Sequence, residues 1–413
     1  MHTTYKDMHM SKKKKSIQYE SFNIEDYINM QTFQESITLF FKDVPDPRAS
    51  DNCDYSLSEL LIIMLMAVIS GADDIADIDE YANQKWKLLQ ELFGQNFIPP
   101  SYNTFWWLLT RMNPKAFADA FYKWVNDAHI CGLAGKQVNI DGKSLRGARN
   151  RNGNCNVHIV HAWVHEHGML IGQQKTDEKS NEITAIPALL EQIDFRDATI
   201  SIDAAGCQKN IVGTIRNAGG NYLLAVKGNQ PKFFDEIVNL FDEAHKIDFE
   251  FVNNCDRYES VEKNSGRIEK RRVAIISDIS DLSTAGDWED LQTVIEVVNE
   301  TTSKGKLTTE KRYYISNLIE NAQEFGSGVR AHWGIESMHW TLDVTFNEDD
   351  SRANVLHAAA NLGTLRRAVM NIIKSDPVLK KLGMAKVRRR AQWNEDGVII
   401  KQVFDALLSV KSF

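Results

Sequence analysis

The feature that most constrains the fold is an alternation of short strand-like and helix-like segments between residues 136 and 246. Runs rich in β-branched residues predict strands at 136–141, 157–164, 169–175 and 198–203, and the run YLLAVKG predicts a fifth. Amphipathic periodicity predicts helices at 184–193, at 207–217 and over PKFFDEIVNLFDEAHK. Three strands followed by alternating helices and strands are typical of an α/β sheet. In such a sheet we expect the first and fourth strands to lie side by side.

Two of these predicted strands end in an aspartate. Asp141 ends the run in KQVNIDGKSLRGA, and Asp203 ends the run in ATISIDAAGCQKN. Each has an ordinary structural explanation, because Asp-Gly is a common hairpin turn and an aspartate often caps a following helix. If the first and fourth strands are neighbours, however, the two carboxylates come close together.

A polar stripe runs along the predicted helix in RAHWGIESMHWTLDVTF. Helical spacing places His332, Glu336, His339 and Asp343 within roughly 60° of arc. The stripe has apolar neighbours on both sides, Trp333, Trp340 and Val344 on one and Ile335, Leu342 and Phe346 on the other. This pattern predicts a helix that lines a buried cleft. Glu336 would then join the two aspartates as an oxygen ligand for a hard divalent cation.

Several segments resemble those of DDE transposases of bacterial insertion sequences, in particular the H-repeat-associated group encoded beside Rhs elements. They are IDGKSLRGA, SIDAAGCQKNI, YLLAVKGNQ, SGRIEKRRV, RYYISNL and HWGIESMHWTLDVTFNEDDSRAN. The resemblance implies an α/β, ribonuclease-H-like catalytic core with a β-strand insertion, preceded by an α-helical N-terminal domain. We expect a mobile polar arm over 1–30, the helical domain over 31–130, the catalytic domain over 131–375 with its insertion at about 248–318, and a basic segment over 376–413.

The resemblance also implies a function. Asp141, Asp203 and Glu336 would be the catalytic triad, holding two Mg²⁺ or Mn²⁺ ions for cleavage and strand transfer of an insertion-sequence element. The partner would be double-stranded DNA, both element ends and target, with the protein a homodimer when assembled on it. Two other functions fit the same residues: a metal-dependent nuclease without strand joining, and a catalytically inactive or domesticated DNA-binding remnant.

The chain departs from the signature that the broader transposase class carries around its last carboxylate. The Tyr, Arg, Glu and Lys positions of that signature hold Val329, His332, Glu336 and Asp343 here, so only the glutamate is retained. Arg330, next to the first of these positions, is a candidate for one of the missing positive charges.

DNA contacts must be local, because the formal net charge is −8 and phosphate contacts dominate affinity for nucleic acids. The candidates are Lys227, Asn229 and Gln230 after the fifth strand, Arg267 and Arg271 in the insertion, Arg330 and His339 near the last carboxylate, and Arg388, Arg389 and Arg390. The alternative for the basic runs, including Lys12 to Lys15, is a solvated face. For His339 it is a core histidine.

Other features limit the class of protein. The stretch LLIIMLMAVI is too short to span a membrane and predicts a buried helix, which Ser56 and Glu59 would begin as a capping box. The N-terminus has no apolar core typical of a signal peptide, and five cysteines without a CxxC pair indicate reduced thiols in the cytoplasm. Cys155, His158, His161, His165 and His167 are spaced too widely along a straight strand to converge on zinc.

Overall fold

The computed structural model describes residues 41–48, 53–130, 132–147, 157–176, 182–264 and 266–393. The proposed arm over 1–30, Lys12 to Lys15, Cys155 and the end of the basic segment therefore lie outside the described residues. None of the helices in the described ranges combines the length and the apolar composition that crossing a bilayer requires.

Nine strands form one mixed sheet in the described part of the chain. They are β1 (Gln137–Ser144), β2 (His158–Val164), β3 (Met169–Thr176), β4 (Thr199–Ile202), β5 (Asn221–Val226), β6 (Cys255–Asn264), β7 (Arg267–Ile276), β8 (Thr293–Ser303) and β9 (Lys306–Ser316). Their spatial order is β3-β2-β1-β4-β5-β9-β8-β7-β6.

The first five strands form the ribonuclease-H-like half of the sheet. β1 pairs antiparallel with β2 and parallel with β4, so the first and fourth strands are neighbours, as predicted. β1 continues to Ser144, three residues past the predicted end, because Asp141 and Gly142 pair with His161 and Val160 of β2. Asp141 therefore lies inside a strand, and the alternative of a hairpin turn at Asp-Gly is excluded.

The insertion extends this same sheet. β9 pairs antiparallel with β5, with Ile315 opposite Leu224, and β8, β7 and β6 follow as antiparallel neighbours. Sequence patterns predict strands at the positions of β7, β8 and β9, but no pattern marks β6. β6 is the edge strand, and its sequence CDRYESVEKN is largely exposed, so it lacks the apolar residues that mark a buried strand.

Of the thirteen α-helices in the described residues, five precede the sheet in the chain and eight alternate with its strands or follow them. They are α1 (Leu57–Ile69), α2 (Ile75–Gln84), α3 (Trp86–Phe93), α4 (Tyr102–Arg111), α5 (Pro114–Val125), α6 (Glu182–Leu190), α7 (Lys209–Asn217), α8 (Pro231–Lys246), α9 (Ala322–His332), α10 (Gly334–Thr345), α11 (Ala358–Ser375), α12 (Pro377–Leu382) and α13 (Met384–Trp393).

One hydrophobic core joins the N-terminal helices to the sheet. α1 begins with the predicted capping box of Ser56 and Glu59, and every residue from Leu60 to Ile69 is buried. α11 packs against α1, α4 and α5 on one side and against β3 on the other. The helical region and the sheet therefore share their interior through α11.

Candidate active site

Alternate residues of β1 form a polar row under the helix pair α9 and α10. Gln137, Asn139, Asp141 and Lys143 alternate along the strand with Val138, Ile140, Gly142 and Ser144, so the polar side chains share one face of the sheet. Gln137 Nε2 donates to Gly328 O at 2.9 Å, and Asn139 Nδ2 donates to Ala331 O at 2.7 Å. These bonds to backbone carbonyls fix α9 along β1.

The two aspartates lie on neighbouring strands. Ile140 of β1 pairs with Ile202 of β4, and Asp141 and Asp203 are the next residue on each strand. Neighbouring strands are about 4.8 Å apart, so the carboxylates leave the same edge side by side. Asp203 Oδ1 also accepts from Ala205 N at 3.0 Å and caps the short 3₁₀ turn that follows.

Asn229 and Gln230 hold the turn after Asp203 in place. Asn229 Nδ2 donates to Ala204 O at 2.7 Å, and Gln230 Nε2 donates to Cys207 O at 3.1 Å. The structure thus assigns these two predicted DNA contacts an intramolecular task. Lys227, which precedes them, is exposed at the same edge of the sheet.

Glu336 lies in the first turn of α10, where it is exposed. The predicted single helix is interrupted at Trp333, so His332 ends α9 and Gly334 begins α10. His332 Nδ1 and Ser201 Oγ are 3.0 Å apart, and His339 Nδ1 lies 3.5 Å from Asp141 Oδ2. His339 is one turn from Glu336, so Glu336 lies on the part of α10 that faces the aspartates, and its charge acts on Asp141. Within the described residues, however, no three His, Cys, Asp or Glu side chains lie close enough together to hold a metal ion as they stand.

Only one of the two predicted apolar flanks is buried. Ile335, Leu342 and Phe346 are fully buried. Trp340 and Val344, by contrast, are 63% and 55% exposed. The polar stripe therefore lies at the border between core and surface, and the expectation of a stripe enclosed on both sides was wrong.

The pKa of Asp141 is raised well above its ordinary value. The pKa of Asp141 rises to about 7, first because the group is buried, and then because the carboxylates of Asp203, Glu182 and Glu336 lie near it. Burial also raises the pKa of Glu336, and Arg312 opposes that rise. Several oxygen donors with excess negative charge on rigid elements fit a divalent cation. The donor set of Asp141, Asp203 and Glu336 is of that kind.

Lys143 was missed by the sequence reasoning. Its Nζ lies 2.5 Å from Asp343 Oδ1, 3.2 Å from Asp349 Oδ1 and 3.4 Å from Glu348 Oε2. Burial lowers the pKa of Lys143, but these carboxylates more than offset that effect and the net pKa is raised. A lysine from β1 thus pairs with the aspartate that replaces the lysine of the signature. The alternation in QVNIDGKS places Lys143 on the face of Asp141 and could have identified it.

Arg312 is the second missed residue. Its guanidinium carbon lies 4.2 Å from the centre of a Trp333 ring, and its charge acts on Glu336. Arg330, the expected source of a missing charge, instead pairs with Glu262 of β6. Arg267, Arg271, Arg312, Arg330 and Trp333 line one groove between the insertion and α9.

The three C-terminal arginines differ in exposure. Arg389 and Arg390 are exposed. Arg388 is buried, and its guanidinium donates to Val68 O at 3.1 Å, to Ala72 O at 3.3 Å and to Asp73 Oδ1 at 2.9 Å. The prediction of a DNA contact is therefore wrong for Arg388, because its donors are engaged inside the protein.

The histidines considered as zinc ligands are held separately. His158 and His161 are three residues apart on β2 and so face opposite sides of the sheet. His158 Nδ1 lies 2.9 Å from Ser144 Oγ, and its Nε2 lies 2.5 Å from Glu182 Oε1.

The chain is similar to transposases along most of its length. Residues 38–125 match the family model described as "DDE_Tnp_1-associated", and residues 135–372 match the one described as "Transposase DDE domain". The chain is 33% identical to "H repeat-associated putative transposase YhhI" of Escherichia coli (strain K12), over 84% of this chain and 93% of that protein. It is 32% identical to "Putative transposase YncI" of Escherichia coli O157:H7, over 87% of this chain and 92% of that protein.

Among solved structures, the piggyBac transposase synaptic complex with hairpin DNA aligns with a TM-score of 0.41 at 10% identity, over 94% of this chain and 78% of that chain. The fold assignment rests instead on the strand order and on the family model that covers the sheet. Together with the identity to the H repeat-associated relatives, that match shows that the chain belongs to the DDE transposase family.

Proposed function

We propose that this protein cuts DNA at the ends of an insertion-sequence element and joins those ends to a target, with divalent cations held by Asp141, Asp203 and Glu336. The observation that carries the proposal is that Asp141 and Asp203 follow paired residues of β1 and β4 at one edge of the sheet, with His339, one turn from Glu336, 3.5 Å from Asp141. Burial is the first cause of the raised pKa of Asp141, and the charges of Asp203, Glu182 and Glu336 add to it. That acidic edge is the place where the family's activity would be located.

Mg²⁺ or Mn²⁺ ions held there would activate the attacking hydroxyl and stabilise the leaving oxygen of the phosphodiester. The chain itself contributes rigidity. Bonds from Gln137 and Asn139 hold α9 on β1, and bonds from Asn229 and Gln230 hold the turn of Asp203. Because these bonds hold the elements around Asp141 and Asp203, we expect these two carboxylates to reorganise little when the substrate binds.

The groove between the insertion and α9 is our proposed path for the scissile strand. It contains Arg267, Arg271, Arg312 and Arg330 beside Trp333, and Arg312 links it to Glu336. Lys227 is exposed on the other side of the aspartates. The groove is also lined by Lys270 and by four glutamates, Glu262, Glu269, Glu300 and Glu310, so its formal charge is only slightly positive. DNA binding by a chain with a net charge of −8 would then need these arginines to exchange glutamate partners for phosphates. Joining two element ends calls for two active sites, so we expect a homodimer on DNA, acting in the bacterial cytoplasm.

The decisive experiment compares Glu336→Gln, Asp141→Asn and Asp203→Asn with the wild type on duplexes that carry the element's flanking ends, in Mn²⁺. Each change removes one anionic oxygen while keeping side-chain size, so cleavage should fall by on the order of a hundredfold or more. Thermal stability and DNA affinity should remain near those of the wild type. Glu243→Gln, an exposed change on α8, is the matched control and should cleave normally.

The products separate the alternatives. Cleaved ends joined to target DNA identify a transposase, and cleavage without joining identifies a nuclease. DNA binding without any cleavage by the wild type would identify a remnant. Full cleavage by Glu336→Gln would remove Glu336 from the proposed triad.

A further inference from the structure

A chain of buried polar side chains runs from α11 to Asp141. Arg367 Nε donates to His161 Nε2 at 2.8 Å. His161 Nδ1 lies 3.1 Å from His339 Nε2, and His339 Nδ1 lies 3.5 Å from Asp141 Oδ2. We call Arg367, His161 and His339 the histidine relay. Its members come from α11, β2 and α10, so the fold assembles it from three separate parts of the chain.

The direction of the relay follows from its first member. A guanidinium only donates hydrogen bonds, so Nε2 of His161 must accept, and the proton of a neutral His161 lies on Nδ1. That proton is donated to His339 Nε2, which leaves the proton of His339 on Nδ1, facing Asp141. Both imidazoles are neutral, because each accepts a hydrogen bond at Nε2. Burial, together with the charges of Lys143 and Arg367, lowers the pKa of both.

Two features hold the Arg367 guanidinium in contact with His161. Its Nη1 lies 2.9 Å from Glu348 Oε1, and both side chains are fully buried. Gly363, one turn earlier on α11, leaves the space that the guanidinium occupies, since a Cβ at that position would lie 2.5 Å from Arg367 Nη1. The contact with Glu348 and the space left at Gly363 therefore hold the Arg367 guanidinium in place as the donor to His161.

The contact between His339 and Asp141 is electrostatic rather than a formed hydrogen bond, because 3.5 Å is too long. Its sign depends on the tautomer. A proton on Nδ1 attracts the carboxylate, whereas a bare lone pair on Nδ1 would repel it. In water a neutral imidazole prefers its proton on Nε2, so the relay selects the less common form.

We propose that the histidine relay fixes the Nδ1–H tautomer of His339 and thereby positions the Asp141 carboxylate for a divalent cation. The proposal rests on the proposed function of the carboxylates. His339 and His161 are then positioning residues, and His161 acts on a metal site that it does not touch. Under this proposal, His339 is neither a DNA contact nor a core histidine with a purely structural role.

The first test reads the tautomer directly. Nitrogen chemical shifts of ¹⁵N-histidine-labelled protein should show His339 with its proton on Nδ1. His161→Phe removes the donor to His339 Nε2 and should shift the proton of His339 to Nε2. His165→Phe is the matched control, because His165 is exposed at the end of the same hairpin and should leave the tautomer unchanged. A wild-type His339 with its proton on Nε2 would overturn the proposal.

The second test measures Mn²⁺ affinity by calorimetry without DNA. His339→Leu should weaken binding by about tenfold or more, as removal of groups that orient metal ligands usually does. His339→Asn keeps a donor at the position of Nδ1 and should restore affinity to within about threefold of the wild type. Equal affinity in wild type, His339→Leu and His161→Phe would reject the relay, and these His339 variants decide the question even if His161→Phe does not fold.

Asp141→Asn distinguishes a failure of the relay from a failure of the proposed function. If the wild type binds Mn²⁺ and Asp141→Asn does not, the metal site stands and the histidine variants test the relay alone. If the wild type binds no Mn²⁺, the proposed metal site and the relay's task are both refuted.

Discussion

Gly142, the residue after the first proposed catalytic aspartate, is required by what lies beside it. A Cβ at this position would overlap Glu182 Oε1 and His158 Nε2, two atoms that themselves lie 2.5 Å apart. A glycine therefore allows β1 to pass against this pair. The Asp-Gly dipeptide, which in many sequences marks a turn, here marks a close approach of a strand to a buried pair.

We expect Gly142→Ala to lower the free energy of unfolding by about 1–3 kcal/mol, because the pair must move to admit the methyl group. Cleavage should fall as well, since Asp141 is adjacent. Guanidinium titration and the cleavage assay measure the two effects. Gly286→Ala is the control, since a Cβ there meets open space. An unchanged stability for Gly142→Ala would show that the pair moves freely.

A second expectation at this scale concerns pH. Burial lowers the pKa of His332 to about 4, against an ordinary value near 6.5 in the unfolded chain. Between these values the unfolded state binds a proton that the native state does not, so the free energy of unfolding falls as pH falls. From pH 6.5 to pH 5 this one histidine should contribute a loss of about 2 kcal/mol.

His332→Asn removes this contribution and can still hydrogen-bond to Ser201. The difference in unfolding free energy between wild type and variant should therefore shrink as pH is lowered from 7 to 5. Parallel curves for the two proteins over that range would mean that folding leaves the pKa of His332 unchanged.

Much of the site could be predicted from local residue patterns. Strand and helix periodicities place Asp141 and Asp203 at strand ends and Glu336 on a polar helix face, and the resemblance to DDE transposases implies that these three form the triad. Arg388 could not be distinguished from Arg389 and Arg390 in the same way, because exposure along α13 depends on partners more than 300 residues earlier in the chain. His161 and Arg367 were not predicted as parts of a relay because their contact joins β2 to α11.

At the scale of elements, the interruption at Trp333 separates a helix that is fixed to β1 from a helix that carries site residues, and sequence periodicity does not reveal this division. Up to this point α9 is fixed to β1 by the side chains of Gln137 and Asn139. After it, α10 presents Glu336, His339 and Asp343 to Asp141 and Lys143. A continuous helical wheel predicted the correct face, but the break depends on tertiary contacts that no local pattern contains.

We expect Asn139→Leu to lower the free energy of unfolding by about 1–3 kcal/mol, since Ala331 O would lose its buried donor. It should also reduce cleavage, because α9 positions α10 and hence Glu336. Asn210→Leu on α7, where the side chain is exposed, is the matched control for both measurements. If Asn139→Leu loses stability but cleaves normally, α10 keeps its position without this bond.

At the scale of the whole molecule, basic residues divide into those that line the proposed DNA groove and those that hold the protein together. Changing Arg267 and Arg271 to serine should weaken DNA binding and lower the slope of log affinity against log salt by about 0.9 for each phosphate that is no longer neutralised.

Arg388→Met should instead leave that slope unchanged and destabilise the protein by about 3–5 kcal/mol, because Asp73 and two carbonyls lose a buried partner. If Arg388→Met changes the slope of log affinity against log salt, Arg388 does contact DNA.

The shared interior also sets the order in which the protein can fold during synthesis. α1 is apolar on every side, and α11, which covers it, is made roughly 290 residues later. At bacterial elongation rates of about 5–20 residues per second, α1 waits about 15–60 s for its partner. During that time an uncovered apolar helix is a natural substrate for holding chaperones. The yield of native transposase in a cell should therefore depend on chaperone supply more than on the stability of the finished fold.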